Sequence, residues 1–251
     1  MALDTRTDRR PSVTGVLWRS TVGKKTAMAV SGIVMLLYLV VHMLGNLKIF
    51  FGSPDFNAYA AWLRTIGEPF LHHEWFLWLA RVVLVVAVVT HAVAAYQLSR
   101  RDLAARPAKY AHPSPGRHPW PRRFAPHLLL RRRASYATRT MRWGGIILGL
   151  FIVWHILDLT TLTVNPRAEA GHPYQNVVAS FSTWYGDVIY IVAMLALGLH
   201  IRHGFWSAAQ TLGANRPGRD RLLKGLANAL AATLTAGFIA VPVSVMTGVV
   251  S

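Results

Sequence analysis

Long apolar stretches separated by short polar ones leave this chain very few possible architectures. A stretch of about 20 apolar residues is enough to cross the hydrocarbon core of a bilayer as a helix. In lipid only helices and closed barrels satisfy the backbone, and barrel strands would alternate apolar and polar residues, which these stretches do not. The sequence therefore predicts an all-α integral membrane bundle, formed by one domain over residues 1–251. Its five transmembrane helices, I to V, are predicted at about residues 26–50, 75–98, 143–164, 187–208 and 226–249.

Of the 27 lysine and arginine residues, Arg81 lies inside helix II, and the others are divided unequally among the segments outside the helices and between them. Six precede helix I, twelve lie between helices II and III, and five lie between helices IV and V. The two remaining connections hold only Lys48, Arg64 and Arg167. Because basic short loops remain in the cytoplasm, this pattern predicts a cytoplasmic N-terminus and a C-terminus outside.

The same topology explains the net charge of +17 without nucleic-acid binding. The long basic loop 104–138, between helices II and III, has two interpretations. It is either a retention loop near anionic lipid or a docking surface for a cytoplasmic partner. The chain contains no cysteine, which excludes disulfides and iron–sulfur ligation by its own residues.

Each of predicted helices I to IV carries a histidine inside its apolar stretch, where polar residues are rare and usually functional. These are His42, His91, His155 and His200. Each of the four histidines lies past the midpoint of its helix. Helices I and III run outward, so His42 and His155 are displaced toward the outside. Helices II and IV run inward, so His91 and His200 are displaced toward the inside. At 1.5 Å per residue, the two layers differ by roughly 10 Å in depth. The sequence therefore predicts two pairs, His42 with His155 and His91 with His200.

Two neutral imidazoles that face each other across a helical bundle suit the two axial positions of a haem iron. Such an iron has no open position, so it transfers electrons rather than binding oxygen. Zinc is less suitable, because only two histidines share a depth and no carboxylate accompanies each pair. Small residues near the histidines favour a flat porphyrin, although they also let helices pack closely. They are Ala87, Ala94, Ala95, Ala193, Ala196, Gly204 and Gly45.

A proton or cation transporter is the competing class, and Asp158, one turn beyond His155, is its best feature. The predicted helices have few other carboxylates and no helices broken by glycine or proline in matched positions. A passive membrane anchor without a cofactor is the remaining alternative.

Four segments carry a resemblance to a known family. They are KKTAMAVSGIVMLLYLVVHMLGNLKIF around His42, EWFLWLARVVLVVAVVTHAVAAY around His91, IILGLFIVWHILDL around His155 and GLHIRHGFWSAAQTLG around His200. Together they resemble the single-chain, five-helix, dihaem cytochrome b subunits of succinate:quinone oxidoreductases. These subunits are the membrane anchors of bacterial succinate dehydrogenases and fumarate reductases of the menaquinone type. The resemblance covers nearly the whole chain, but loop 104–138 is longer and more basic than is typical.

The resemblance implies two haem b groups and a quinone, menaquinone or a related one, as substrate. It implies His91 and His200 as ligands of a proximal haem and His42 and His155 as ligands of a distal one. The expected partners are an FAD-containing flavoprotein subunit and an iron–sulfur subunit on the cytoplasmic face of the bacterial membrane. The flavoprotein would oxidise succinate, and this chain would carry electrons to quinone. Association of the whole complex as a homo-oligomer is left open.

Further contacts are expected from the needs of haem propionates and quinone. Ser31 and His203 on the inner side, and Arg81 near the outer end of helix II, are candidates for a propionate or a quinone oxygen. His203 also competes with His200 as ligand, or is an ordinary interfacial histidine, and Arg81 has the alternative of snorkelling outward. Candidate quinone contacts at the outer end of helix II are Glu68, Glu74, Trp75 and Trp78. An interfacial aromatic belt explains the two tryptophans equally well.

Overall fold

The computed structural model describes residues 18–105, 126–165, 167–214, 216 and 218–251, without the side chains of 126–139. Over these residues the protein is helical and has no strand. Five helices are long and apolar enough to cross a membrane, which confirms the predicted class. They are α1 (Thr21–Asn46, continued by a 3-10 turn at Leu47–Phe51), α3 (Trp75–Ala104), α4 (Pro126–Leu159, apolar over Thr140–Leu159), α6 (Trp184–Thr211) and α7 (Asp220–Met246). Two short helices lie between them, α2 (Ser53–Thr65) and α5 (Pro173–Phe181).

The ends of the long helices differ from the predicted ones, because capping fixes them rather than hydropathy. Helix α1 begins at Thr21 instead of 26, since the hydroxyl of Ser20 accepts a hydrogen bond from Gly23 N (2.8 Å). Helix α6 begins at Trp184 instead of 187, with Thr183 as its cap. Helix α3 begins at 75 as predicted and continues past 98 to Ala104, and α7 covers 220–246 instead of 226–249.

Helix α4 departs furthest from the prediction of 143–164. It begins at Pro126, so residues 126–138 of the predicted loop 104–138 are helical, and the prediction of a loop there was wrong. No proline or glycine follows Pro126 until Gly144, and the intervening leucines, arginines and alanines favour a helix. The helix ends at Leu159, just before a turn in which Leu162 has φ of +60°. Residues 106–125 of the loop lie outside the described residues.

The short helices α2 and α5 were not predicted, because a search for apolar stretches of about 20 residues passes over them. Each begins with a proline in its first turn, Pro54 and Pro173, where a missing N–H costs nothing. Both lie beyond the spans, and they join through Asn57 Oδ1, which accepts a hydrogen bond from Tyr174 N (3.0 Å). We call this side of the bundle the opposite end.

The other side is called the basic end, since it gathers the start of α1 and the end of α3. The guanidinium of Arg101 donates to the carbonyl of Arg19 (2.9 Å) and to the hydroxyl of Thr21 (3.1 Å). Arg142 of α4 forms an ion pair with Asp102 of α3 (2.9 Å). These contacts hold the start of α1, the end of α3 and the beginning of the apolar part of α4 at one level.

Helix α6 is the centre of the bundle. It packs against α7, α4 and α1, while α3 packs against α1. The core between α1, α6 and α7 contains Met43, Leu197, Leu234 and Phe238. Among the described residues, helices α3 and α4 make few contacts with each other apart from the Arg142–Asp102 ion pair. The region between α1, α3, α4 and α6, where their four histidines meet, is called the cleft.

The closest approach of α6 to α7 occurs at Gly198. A Cβ there would collide with the hydroxyl of Thr235 and lie 3.7 Å from the carbonyl oxygen of Ala231. We expect Gly198→Val to lower stability by about 1–3 kcal/mol, the usual cost of an overpacked interface. The matched control is Gly225→Val on α7, where a Cβ meets nothing within 4 Å. Thermal loss of the circular dichroism signal in detergent measures both, and equal losses of stability would contradict the close approach.

Candidate functional site

The histidines of α1 and α4 face each other near the opposite end of the cleft. The ring centroids of His42 and His155 are 5.8 Å apart, and their planes differ by 82°. Four aromatic rings surround them. Tyr38 stacks on His42 and Phe238 of α7 lies 5.9 Å from it, while Phe151 stacks on His155 and Tyr190 lies 5.8 Å from it.

The histidines of α3 and α6 form the second pair, nearer the basic end. The ring centroids of His91 and His200 are 6.1 Å apart, with planes that differ by 56°. The structure thus brings together the same partners that the depths predict. Whether each pair binds a haem stays a prediction at this point.

The spacing within each pair fits one metal ion between two imidazoles. A metal–nitrogen bond of about 2.0–2.1 Å, with a ring centroid about 1.1 Å behind each nitrogen, places the two centroids about 6.3 Å apart. The observed 5.8 Å and 6.1 Å are close to this value. Both ring planes contain the nitrogen–metal–nitrogen axis in such an arrangement, so the angle between the planes is unrestricted.

Each pair offers two nitrogens and little else to a metal. Among the described residues, no cluster of three or more His, Cys, Asp or Glu side chains could hold an ion. A metal bound there would need its remaining donors from a non-protein group, and the four nitrogens of a porphyrin supply them. This donor set fits haem and not a structural zinc site.

The Nδ1 atoms of three of these histidines already have partners. His91 Nδ1 donates to the carbonyl of Met28 (2.9 Å), His155 Nδ1 contacts the hydroxyl of Tyr190 (3.1 Å), and His42 Nδ1 contacts that of Tyr38 (3.4 Å). A hydrogen bond from Nδ1–H selects the tautomer whose Nε2 lone pair is free for a metal. His200 Nδ1 is buried without a hydrogen-bond partner in the part of the chain that the structure describes.

Two glycines lie against the imidazoles of the second pair. A Cβ on Gly32 of α1 would lie 3.3 Å from His91 Cε1, and one on Gly145 of α4 would lie 3.9 Å from His200 Cε1. Side chains at these positions would fill the cleft beside the rings. A flat macrocycle held by these imidazoles would need small residues beside them, and the two glycines meet that need.

The small residues expected around the porphyrin divide into two sets. Gly45 does not face the cleft, because its missing side chain makes room for Tyr59 of α2, whose hydroxyl would be 2.8 Å from a Cβ there. Three alanines are buried, and their role beside the porphyrin stays a prediction: Ala87, Ala94 and Ala193. Three positions remain partly open: Ala95, Ala196 and Gly204.

Ser31 and His203 both lie toward the basic end. The buried hydroxyl of Ser31 donates to the carbonyl of Ala27 (2.7 Å) and lies 3.4 Å from His91 Nδ1. It is therefore beside the second pair. His203 is partly buried, with its ring 6.5 Å from Trp206. Their contacts with a propionate stay predictions.

The residues expected at the quinone lie at the opposite end and are not gathered into one cluster. Arg81 lies over the ring of Trp78 (4.8 Å), and both are exposed, as is Trp75. Their nearest charged neighbours belong to the connection before α3. Glu74 forms an ion pair with Arg64 (3.0 Å), and Glu68 contacts His73 (3.1 Å).

Sequence reasoning did not identify Tyr190 and Ser180 as members of the site. The hydroxyls of both donate to Asp158 Oδ2, at 2.8 Å and 2.6 Å. Tyr190 precedes His200 on α6 by ten residues, about 15 Å along the helix, and so lies toward the end of the bundle that holds the first pair. That spacing was the one feature of the sequence that could have pointed to Tyr190.

Comparison of the chain with family models, with curated proteins and with solved structures finds no match. The case for a function therefore depends on the residues of the cleft.

The pairing predicts which substitutions act together. His91→Ala and His200→Ala should each remove the same haem, because each takes away one axial ligand of one iron. His42→Ala and His155→Ala should each remove the other haem. Redox-resolved visible spectra of the four variants measure this, with His203→Ala as the control that retains both components. Loss of one and the same component in His42→Ala and His200→Ala would refute the pairing.

Proposed function

We propose that this chain is the membrane-anchor cytochrome b subunit of a bacterial succinate:quinone oxidoreductase. In that role it holds the FAD-containing flavoprotein and the iron–sulfur subunit at the cytoplasmic membrane, and conveys their electrons through two haem b groups to a quinone of the menaquinone type. The observation that carries the proposal is that two pairs of imidazoles face each other, at two levels between the same four helices.

Haem iron held by two imidazoles supplies reversible one-electron transfer with no open coordination position. The chain's own residues do the rest. His42 and His155 hold one iron and His91 and His200 the other. The hydrogen bonds at Nδ1 of His91 and His155 fix the tautomer and the orientation of those imidazoles.

The orientation in the membrane follows from the charges. The basic end lies in the cytoplasm, since it carries Arg19, Arg101 and Arg142, and it receives the two partner subunits. Apolar side chains that are exposed along α3, including Val82, Val85 and Val89, face lipid. The succinate chemistry belongs to the flavoprotein, because the described residues of this chain form spanning helices and their connections.

The quinone binds at the opposite end in this proposal, close to the His42–His155 pair. A second haem is useful only if electrons must reach the far side of the membrane. There the exposed guanidinium of Arg81 is available to stabilise an anionic quinone oxygen, with Trp78 beneath it. Glu68 and Glu74 lie in the same connection and can take part in proton exchange with the outer aqueous phase.

An intramembrane proton or cation transporter is the second candidate function. The observation that favours it is the hydrogen-bonded chain from Asp158 through Tyr190 to His155, which resembles a segment of a relay. The same hydrogen bonds serve equally well to orient the imidazole of His155 as a haem ligand. A spectrum separates the two functions directly.

The purified complex should contain two b-type haems for each copy of this chain. A reduced-minus-oxidised spectrum should show the α-band of a b-type cytochrome, and a haem-to-protein assay should give a ratio of two. The double variant His42→Ala/His91→Ala, which breaks both pairs, is the control and should lose the band. A wild-type complex with no such band would sink the proposal and favour the transporter or a passive anchor.

Turnover should depend on the membrane potential if quinone is reduced at the opposite end. Electrons then move outward, and each charge that crosses the full membrane exchanges about 2.3 kcal/mol per 100 mV. In sealed vesicles, a potential that is negative inside should assist succinate oxidation by a low-potential quinone, and an uncoupler should slow it.

The control for that measurement is succinate oxidation by a water-soluble dye, which takes electrons from the cytoplasmic subunits and should not respond to the potential. Quinone turnover that is equally indifferent would place the quinone at the basic end instead.

A further inference from the structure

The two histidine pairs differ in what holds their imidazoles. His91 Nδ1 donates to a neutral backbone carbonyl, that of Met28. His155 Nδ1 lies 3.1 Å from Tyr190 Oη, and this hydroxyl in turn donates to Asp158 Oδ2 at 2.8 Å. The first pair therefore has a carboxyl group two hydrogen bonds from its ring, which the second pair does not have among the described contacts.

The direction of these hydrogen bonds is set by their chemistry. Asp158 Oδ2 also accepts the hydroxyl of Ser180 at 2.6 Å, so two donors converge on one carboxyl oxygen. The hydrogen of Tyr190 points to Asp158, and the lone pairs of its oxygen are left for His155 Nδ1–H. The order is then His155 to Tyr190 to Asp158, with each group donating to the next.

Burial makes this chain of hydrogen bonds effective. The exposed fractions are 3% for Asp158, 5% for Ser180 and 6% for Tyr190. In a low-dielectric interior, hydrogen bonds polarise one another, and water does not compete for them. An imidazole whose Nδ1–H donates toward a carboxyl group becomes a more basic ligand.

We propose that Asp158, acting through Tyr190, polarises His155 and so lowers the reduction potential of the haem at the His42–His155 pair. This inference rests on the proposed function, since it assigns a task to residues around one of the two haems. Asp158 and Tyr190 are positioning residues, because Tyr190 contacts the ligand imidazole, Asp158 contacts Tyr190, and both act on the iron through His155. A more basic axial imidazole stabilises the oxidised iron, and hydrogen bonding around the ligands is one of the levers that set such potentials.

The consequence is an intrinsic difference between the two haems of one chain. Beside His91 lie the backbone carbonyl of Met28 and the hydroxyl of Ser31, and no carboxyl group among the described contacts. Loss of Asp158 or of the Tyr190 hydroxyl should therefore raise the potential of the haem at the His42–His155 pair and leave that of the other haem unchanged.

Redox titration of the whole complex, followed by visible spectroscopy, tests the inference with Tyr190→Phe and Asp158→Asn. Tyr190→Phe keeps a ring that packs at 5.0 Å on Phe151 and 4.7 Å on Phe181, so only the hydroxyl is lost. The haem that His155→Ala removes should shift to a higher potential in both variants, and the haem that His91→Ala removes should keep its potential. The matched control is Tyr185→Phe on the same helix, a tyrosine that packs on Trp154 and Trp184 and should move neither.

Electron paramagnetic resonance of the oxidised complex gives a second reading, in which the low-spin signal of the same haem should change its g values in Tyr190→Phe. An unshifted haem in Tyr190→Phe, equal shifts of both haems, or loss of that haem in both variants would overturn the inference. Loss of that haem in both variants would mean that the hydrogen bonds are required to hold the haem and not to set its potential. A wild-type complex without any b-type haem would instead overturn the proposed function, so the two failures are distinguishable.

Discussion

Helices in a bilayer gain little by burying apolar side chains against one another, because lipid tails are as apolar as leucine. Their association depends on close van der Waals contact, which small residues allow. In this protein the contact is concentrated on α6, where Gly198 lies against Thr235 of α7. Gly237 of α7 lies in the same way against the side chain of Met43 of α1. The position of every functional side chain depends on this tightly packed trio of α1, α6 and α7.

Around that trio, α3 and α4 are held on separate helices, α3 on α1 and α4 on α6. They therefore stand apart across a cleft, and each of the four helices that border it presents one imidazole. The two couples have similar spacing but different surroundings, with aromatic rings around His42 and His155 and glycines against His91 and His200. One architecture thus provides two similar pairs of imidazoles with different surroundings.

The sequence predicts the five spans and the pairing of the histidines for a simple reason. Hydropathy marks a span wherever lipid requires one, and the constant rise of a helix converts residue number into depth. The same information does not define helix ends outside the membrane. Helix α4 begins at Pro126 through local helix propensity, and α2 and α5 are too short to register as spans.

Contacts between side chains of different helices lie beyond such reasoning. The prediction that Gly45 lines the cleft was wrong because Tyr59, on a helix that hydropathy does not reveal, occupies the space beside it. Asp158 stood out as an intramembrane carboxyl group, but its partners Tyr190 and Ser180 follow only from the folded arrangement. The most direct test of the whole account is an experimental density map of the purified complex. It should show one flat macrocycle between His42 and His155 and another between His91 and His200, and a cleft closed by side chains at either pair would contradict it.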